Sequence, residues 1–116
     1  MIVKHLKSVE KKRIEMEGSD GVSVQKPITS ADGTPSYSFR VFTIAAGGTT
    51  PYHTHGWEHL NYIIKGRGAL VDADGTEYPV EQGDFAMVLP EEKHCYKNTA
   101  DDGDLVMICA VPKENE

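Results

Sequence analysis

Short runs of alternating apolar and polar residues recur along the chain, and turn-forming residues separate them. Residues 22–25 alternate strictly, residues 37–44 are rich in β-branched and aromatic side chains, and residues 105–111 form the most apolar run. Alternation is typical of a half-buried strand, and a short continuous apolar run is typical of a fully buried one. No segment keeps its apolar residues on one helical face. The pattern therefore predicts eight or more short strands and no helix.

The predicted strands follow one another at intervals typical of a sandwich or a barrel. They are expected at residues 22–25, 37–44, 59–65, 69–71, 76–80, 85–89, 94–97 and 105–111. A leading strand at residues 1–3 and a loop up to residue 18 are expected before them. Glycine turns such as Asp74-Gly75 separate neighbouring strands. We therefore expect an all-β fold.

Composition narrows the class of protein. The 116 residues are enough for one domain with its own core. Hydrophobic residues make up 39% of the chain and charged residues 26%, as in ordinary soluble proteins. The formal net charge of −6 argues against binding to nucleic acid or to an anionic membrane surface, because both need a basic footprint.

The sequence pattern predicts neither export nor membrane insertion. Its first residues lack the apolar segment of a signal peptide, and no apolar run approaches the roughly 20 residues that span a bilayer. Two cysteines, Cys95 and Cys109, are too few for a disulfide framework in a chain of this size. We expect a cytoplasmic protein in a reducing environment.

Four of the five histidines lie in two places along the chain, and they carry the strongest chemical signal. His53 and His55 are two residues apart, so on an extended strand both side chains point to the same face. His59 follows at the head of the next predicted strand, and His94 needs the fold to bring it close. Imidazole is a common ligand of divalent transition metals. We expect the four side chains to converge on one ion, either manganese, iron, nickel, copper or zinc.

The spacing of glycines and histidines resembles the two sequence motifs of the cupin superfamily. In the first motif, at residues 47–68, Gly47, His53 and His55 fit the pattern, and Gly66 follows at the expected distance. His59 stands where cupins usually carry a glutamate ligand. A shift of register that makes the neighbouring Glu58 the ligand is the alternative.

The second motif, at residues 83–98, fits at Gly83, His94 and Asn98. It departs from the usual pattern at two positions, where Leu89 replaces a proline and Glu91 replaces a glycine. These changes alter the turn before His94 and leave its distance from Gly83 intact.

The resemblance implies one cupin domain over residues 1–116, folded as a double-stranded β-helix, or jelly-roll barrel. The chain is similar to small bacterial single-domain cupins that share the run from His53 to His59, His-Thr-His-Gly-Trp-Glu-His. Such proteins bind manganese or another divalent metal through four histidines and form homodimers. The resemblance therefore implies metal ligation by His53, His55, His59 and His94, and it implies no particular reaction.

Five further residues are candidates for the lining of a cavity beside the metal. If His59 faces inward, strand alternation turns Asn61 and Ile63 inward as well. Phe39 and Val41 are the candidates on the neighbouring strand, with plain packing as the alternative for all four. Cys109 is either a small core residue or a thiol that faces the cavity.

These features favour a metal-dependent enzyme, an oxidoreductase or dioxygenase that acts on a small chelating organic substrate. Four neutral ligands leave the ion its positive charge and open positions, which suits a Lewis-acidic or redox centre. No catalytic residue is assigned, because no general base, Ser-His-Asp order or paired carboxylates stand out. The alternatives are a non-catalytic module that binds a metal or a small molecule, and a barrel with structural zinc.

Overall fold

Nine β-strands form one antiparallel sheet in the computed structural model, which describes residues 1–116. The strands are β1 (Lys12–Arg13), β2 (Asp20–Ile28), β3 (Tyr37–Thr49), β4 (His59–Lys65), β5 (Arg67–Val71), β6 (Glu77–Glu81), β7 (Phe85–Val88), β8 (Cys95–Lys97) and β9 (Leu105–Pro112). The only helical segments are three-residue 3-10 turns at Leu6–Ser8, Ser30–Asp32 and Lys113–Asn115. No helix is long and apolar enough to cross a membrane. The all-β expectation is confirmed.

The long strand β3 organises the sheet. The strand order is β6-β5-β8-β3-β9-β4-β7, with β2 also paired to β3 and β1 paired to β2. β3 pairs with β9 from Tyr37 to Ile44 and reaches β8 at Thr49. Because one strand contributes to pairings at both ends, the sheet curls into a half-barrel with a concave inner face.

The hydrophobic core fills one end of this concave face. Its buried members are Val22, Ile44, Ile63, Val80, Tyr96, Leu105 and Met107. Direct cross-strand pairing places Ile44 beside Leu105 and Ile63 beside Met107. Full burial of an aliphatic side chain of this size contributes roughly 1.5–3 kcal/mol, so this cluster is the main stabilising feature of the fold.

The convex face of the sheet carries a group of apolar side chains, of which Phe39, Leu60, Phe85 and Met87 are exposed. Leu60 on β4 pairs with Met87 on β7 and with Ala110 on β9, which in turn pairs with Phe39 on β3. Phe85 next to this row is 82% exposed. We call these five residues the convex apolar row.

The ends of several elements differ from the sequence prediction. The prediction of a leading strand at residues 1–3 was wrong, because these residues are exposed and pair with no neighbouring strand. β2 extends through Pro27, which lies where the register between β2 and β3 shifts between Gln25 and Ile28. A proline at such an irregularity removes no ladder hydrogen bond, and it is tolerated for that reason.

The turn before His94 contains the only non-glycine residue with a positive φ angle. Glu91 has φ 69°, at the position where the second cupin motif usually carries glycine. Its backbone N–H donates to the carbonyl oxygen of His55 at 2.8 Å, which ties this turn to the first histidine segment. The left-handed conformation costs an L-residue roughly 1–2 kcal/mol, so the turn is locally strained.

Replacement of Glu91 by glycine should therefore stabilise the protein. We expect Glu91→Gly to raise the free energy of unfolding by about 1 kcal/mol, because relief of strain exceeds the extra entropy of glycine in the unfolded chain. Urea denaturation measures this change. Glu91→Ala is the control, since alanine removes the carboxylate and keeps the strained φ. An equal gain in both variants would assign the effect to the carboxylate and contradict the strain.

Candidate metal centre

The loop between β3 and β4 holds two of the four clustered histidines. His53 forms an isolated antiparallel bridge with His94, in which each backbone N–H donates to the other residue's carbonyl oxygen at 3.1 and 3.0 Å. His55 lies two residues further along the same irregular segment, where its ring stacks on Trp57 with centroids 4.3 Å apart. The bridge, rather than a continuous strand, is what places His53 beside His94.

The rings of the four histidines lie in one group. The ligand atoms of His53, His55 and His94 all lie within 4.8 Å of one another. His59, at the start of β4, joins the group with its Nε2 atom 3.0 Å from Nε2 of His94. The fold thus brings together three histidines that could hold a metal ion and places the fourth in direct contact with one of them.

Hydrogen bonds made by the Nδ1 atoms orient three of these rings. Nδ1 of His55 lies 2.7 Å from the carbonyl oxygen of Trp57, and Nδ1 of His94 lies 2.7 Å from that of Glu92. Nδ1 of His59 lies 2.8 Å from Oδ1 of Asn61. Because these oxygens only accept hydrogen bonds, each Nδ1 carries the proton and each Nε2 keeps a free lone pair.

The surroundings of the clustered histidines oppose protonation of their rings. Burial, followed by the charge of His94, lowers the pKa of His59 to about 3. Burial is also the largest cause that lowers the pKa of His53 and of His94. Two lone pairs that face each other at 3.0 Å repel when no cation accepts them. The donor set therefore fits a divalent transition metal ion, which binds neutral imidazole.

A small polar network behind His59 holds its orientation. Oδ1 of Asn61 accepts hydrogen bonds from Nδ1 of His59 and from the hydroxyl of Tyr96, the latter at 3.0 Å. The Asn61 amide nitrogen donates to the carbonyl oxygen of Ile108 at 3.4 Å. Burial raises the pKa of Tyr96, so its hydroxyl stays protonated and remains a donor. The sequence analysis missed Tyr96, although it lies two residues after His94 and alternation would have placed it on the same face.

The histidines line a cavity of about 320 Å³ on the concave face. The other residues in its wall include Arg40, Phe42, Trp57, Asn61, Tyr96 and Cys109. None of the lining residues is acidic, and Glu58 is not among them. The wall therefore offers nitrogen donors, one guanidinium and apolar surface, and it offers no carboxylate.

The five residues predicted to line the cavity lie in different parts of the structure. Asn61 and Cys109 line the cavity, whereas Ile63 is buried in the hydrophobic core. The expectation for Phe39 and Val41 was wrong, because β3 turns its even-numbered residues to the cavity. Phe39 lies in the convex apolar row at 47% exposure, and Val41 is buried on the same side of β3.

Arg40 and Phe42 take the places that had been predicted for Phe39 and Val41. Direct pairing sets Arg40 opposite Cys109 and Phe42 opposite Met107, and all four line the cavity. Apolar residues occupy both faces of β3, so the alternation pattern alone does not indicate which face is inward.

The fold of this chain is similar to that of several known proteins. The search of curated proteins found no match to the sequence. Among solved structures, the polyketide cyclase RemF from Streptomyces resistomycificus superposes with a TM-score of 0.91 at 24% identity, covering 97% of this chain and 80% of that one. A predicted oxalate decarboxylase from Thermotoga maritima gives a TM-score of 0.83 at 24% identity, with 96% and 98% of the chains covered. Ectoine synthase from P. lautus gives 0.76 at 22% identity, with 97% and 78% covered.

These likenesses concern the fold alone, since the identities are low and the named activities differ. The sequence model of the family described as Cupin domain matches residues 40–111, which include all four clustered histidines and more than half of the chain. The concave sheet, the converging imidazoles and this match agree, and the protein is a member of the cupin family.

Proposed function

We propose that His53, His55, His59 and His94 bind one divalent transition metal ion, and that the protein is a metal-dependent oxidoreductase or dioxygenase acting on a small chelating organic substrate. The observation that carries the proposal is the approach of two unprotonated Nε2 atoms to 3.0 Å in a group of four rings. Manganese, iron, nickel, copper and zinc all suit imidazole ligands, and the cellular supply selects among them.

The surrounding residues keep this ligand set ready to bind. The carbonyl oxygens of Trp57 and Glu92 and the amide oxygen of Asn61 hold three protons on Nδ1, so metal binding through Nε2 requires no change of tautomer. A bound divalent ion would supply Lewis acidity and, for metals with two accessible oxidation states, electron transfer.

The cavity walls suit a small organic molecule. Phe42 and Met107 contribute apolar surface, and the volume of about 320 Å³ lies at the small end of ligand pockets. Apolar walls exclude water and strengthen the electrostatic interactions of a bound polar group.

A non-catalytic module that binds a metal or a small molecule is the second candidate. The absence of acidic residues from the cavity wall favours it, because no carboxylate is in place to act as a general base.

Removal of any one of the four histidines should weaken metal binding. In excess manganese or zinc at about 100 times the Kd, the metal should raise the unfolding free energy of the wild-type protein by about 2.7 kcal/mol. We expect this gain to fall by more than half in His53→Ala, His55→Ala, His59→Ala and His94→Ala. Thermal unfolding with and without metal, together with metal analysis, measures it. His5→Ala is the matched control, because His5 lies outside the cluster and only caps the first 3-10 turn.

The same variants discriminate between the two candidate functions. Consumption of oxygen or peroxide with a panel of diketones, catechols and hydroxy acids, abolished in His53→Ala and retained in His5→Ala, would support the enzyme. Stoichiometric metal without turnover on the whole panel would support the binding module. Full metal content in all four alanine variants would contradict the proposed ligand set.

Acid should destabilise the metal-free protein through the buried histidines. The pKa of His59 is lowered to about 3 in the folded protein, against about 6.5 in the unfolded chain. Between these values the unfolded state binds more protons, so stability falls as the pH falls from about 6.5 towards 3, by up to about 1.4 kcal/mol per pH unit for this residue. Bound metal should be released in the same window, because the ligands must be unprotonated.

Urea denaturation of metal-free protein at several pH values tests this dependence. His59→Gln should show a shallower loss of stability between pH 6 and pH 4 than the wild-type protein, whereas His5→Ala should match the wild type. An equally steep loss in His59→Gln would contradict the assigned cause.

We further propose that the protein is a homodimer that buries its convex apolar row. Sedimentation should then give twice the chain mass of 12.8 kDa. Leu60→Glu combined with Phe85→Glu should give the monomer, because two carboxylates would be buried at the interface. Val3→Glu is the control, since Val3 is 99% exposed and lies in the N-terminal segment, outside this row. A wild-type monomer at micromolar concentration would contradict the proposal.

A further inference from the structure

Arg40 projects from β3 into the cavity that holds the histidines. It lies in a cross-strand row with Cys109 on β9 and Asn61 on β4, so the three side chains share the concave face. Asn61 in turn contacts His59, which places the guanidinium in the wall next to the candidate metal centre.

The Arg40 guanidinium has few partners for a charged group in such a place. One terminal nitrogen donates to the sulfur of Cys109 at 3.2 Å, a weak acceptor, and the group lies 4.9 Å from the centroid of the Phe42 ring. Its Nε atom is buried and has no hydrogen-bond partner. No carboxylate forms an ion pair with it. Arg40 as a whole is half-buried, and a charge withdrawn this far from water is normally paired, so this cation lacks its anion.

A second buried donor in the same wall is also unsatisfied. The indole Nε1 of Trp57 has no hydrogen-bond partner, although Trp57 lines the cavity. With no acidic residue in the wall, the cavity presents unpaired donors and a positive charge inside a protein whose net charge is −6. A neutral ligand would leave the guanidinium uncompensated, whereas an anionic ligand would pair with it.

We infer that Arg40 binds the carboxylate of the substrate, and that the substrate class is small organic acids with a second oxygen donor beside the carboxylate, such as 2-hydroxy and 2-oxo acids. This inference rests on the proposed function of the same cavity and adds the charge and class of its ligand. The planar guanidinium matches a carboxylate with two parallel hydrogen bonds, which favours this anion over a spherical one. The second oxygen donor then faces the histidine rings.

Matched pairs of acids and amides test the inference. Lactate, glycolate and 2-oxobutyrate are titrated by calorimetry into metal-loaded protein, beside lactamide, glycolamide and 2-oxobutyramide. We expect each acid to bind the wild-type protein at least about tenfold more tightly than its amide, as charge-assisted bidentate pairs imply. Arg40→Gln should remove this preference while metal content and amide affinity stay unchanged, and Arg40→Lys should keep part of it.

Lys93→Gln is the matched control, because it removes one positive charge from outside this cavity. It should leave the acid preference intact. Equal binding of acids and amides by the wild type, no binding of any acid at about 10 mM, or an equal loss in Lys93→Gln and Arg40→Gln would each overturn the inference.

The experiments can contradict the proposed metal centre and the proposed role of Arg40 independently of each other. If metal analysis shows that the protein takes up no metal, the proposed metal centre fails, and the acid–amide comparison is made on the metal-free protein. The guanidinium is unchanged there, so an Arg40-dependent preference for acids is still expected. If Arg40→Gln does not fold, Arg40→Lys and the wild-type acid–amide ratio decide the outcome.

Discussion

Two imidazole nitrogens, Nε2 of His59 and Nε2 of His94, lie 3.0 Å apart, and the surrounding structure keeps protons off both of them. The protons stay on the Nδ1 atoms, which donate hydrogen bonds to Oδ1 of Asn61 and to the carbonyl oxygen of Glu92. Burial opposes a second proton on either ring. The folded protein thus holds a repulsive contact that a metal cation would relieve, and the core and the polar network keep the rings in position.

The core and the metal centre share one strand face, so they depend on each other. On β4 three inward positions follow one another: His59 is a candidate metal ligand, Asn61 belongs to the polar network, and Ile63 belongs to the hydrophobic core. The tight packing of Ile63 against Met107 fixes the register of β4 on β9, and that register sets the position of His59. Burial of the core therefore supplies the free energy that holds a strained and polar site together.

Several parts of this arrangement follow from sequence pattern. Glycine and histidine spacings indicated the clustered imidazoles, and alternation indicated the strands and the inward position of Asn61, whereas for Cys109 the sequence left a core position and a cavity position open. The left-handed backbone of Glu91 had a visible signal as well, since it occupies a glycine position of the second motif. Residues 1–3 had the composition of a strand and no partner to pair with, because strand formation requires a neighbouring strand as well as a local pattern.

By itself, the sequence determined which residues are the candidate ligands and how far apart they lie along the chain, because residue identity and spacing are local properties. Only the tertiary structure decided that the His53–His94 bridge joins segments 41 positions apart, and that Arg40 and Phe42 face the cavity while Phe39 faces out. β3 is apolar on both faces, so its inward side depends on which strands cover it. The register with β9 settles that choice, and it is a contact between distant residues that no local pattern encodes.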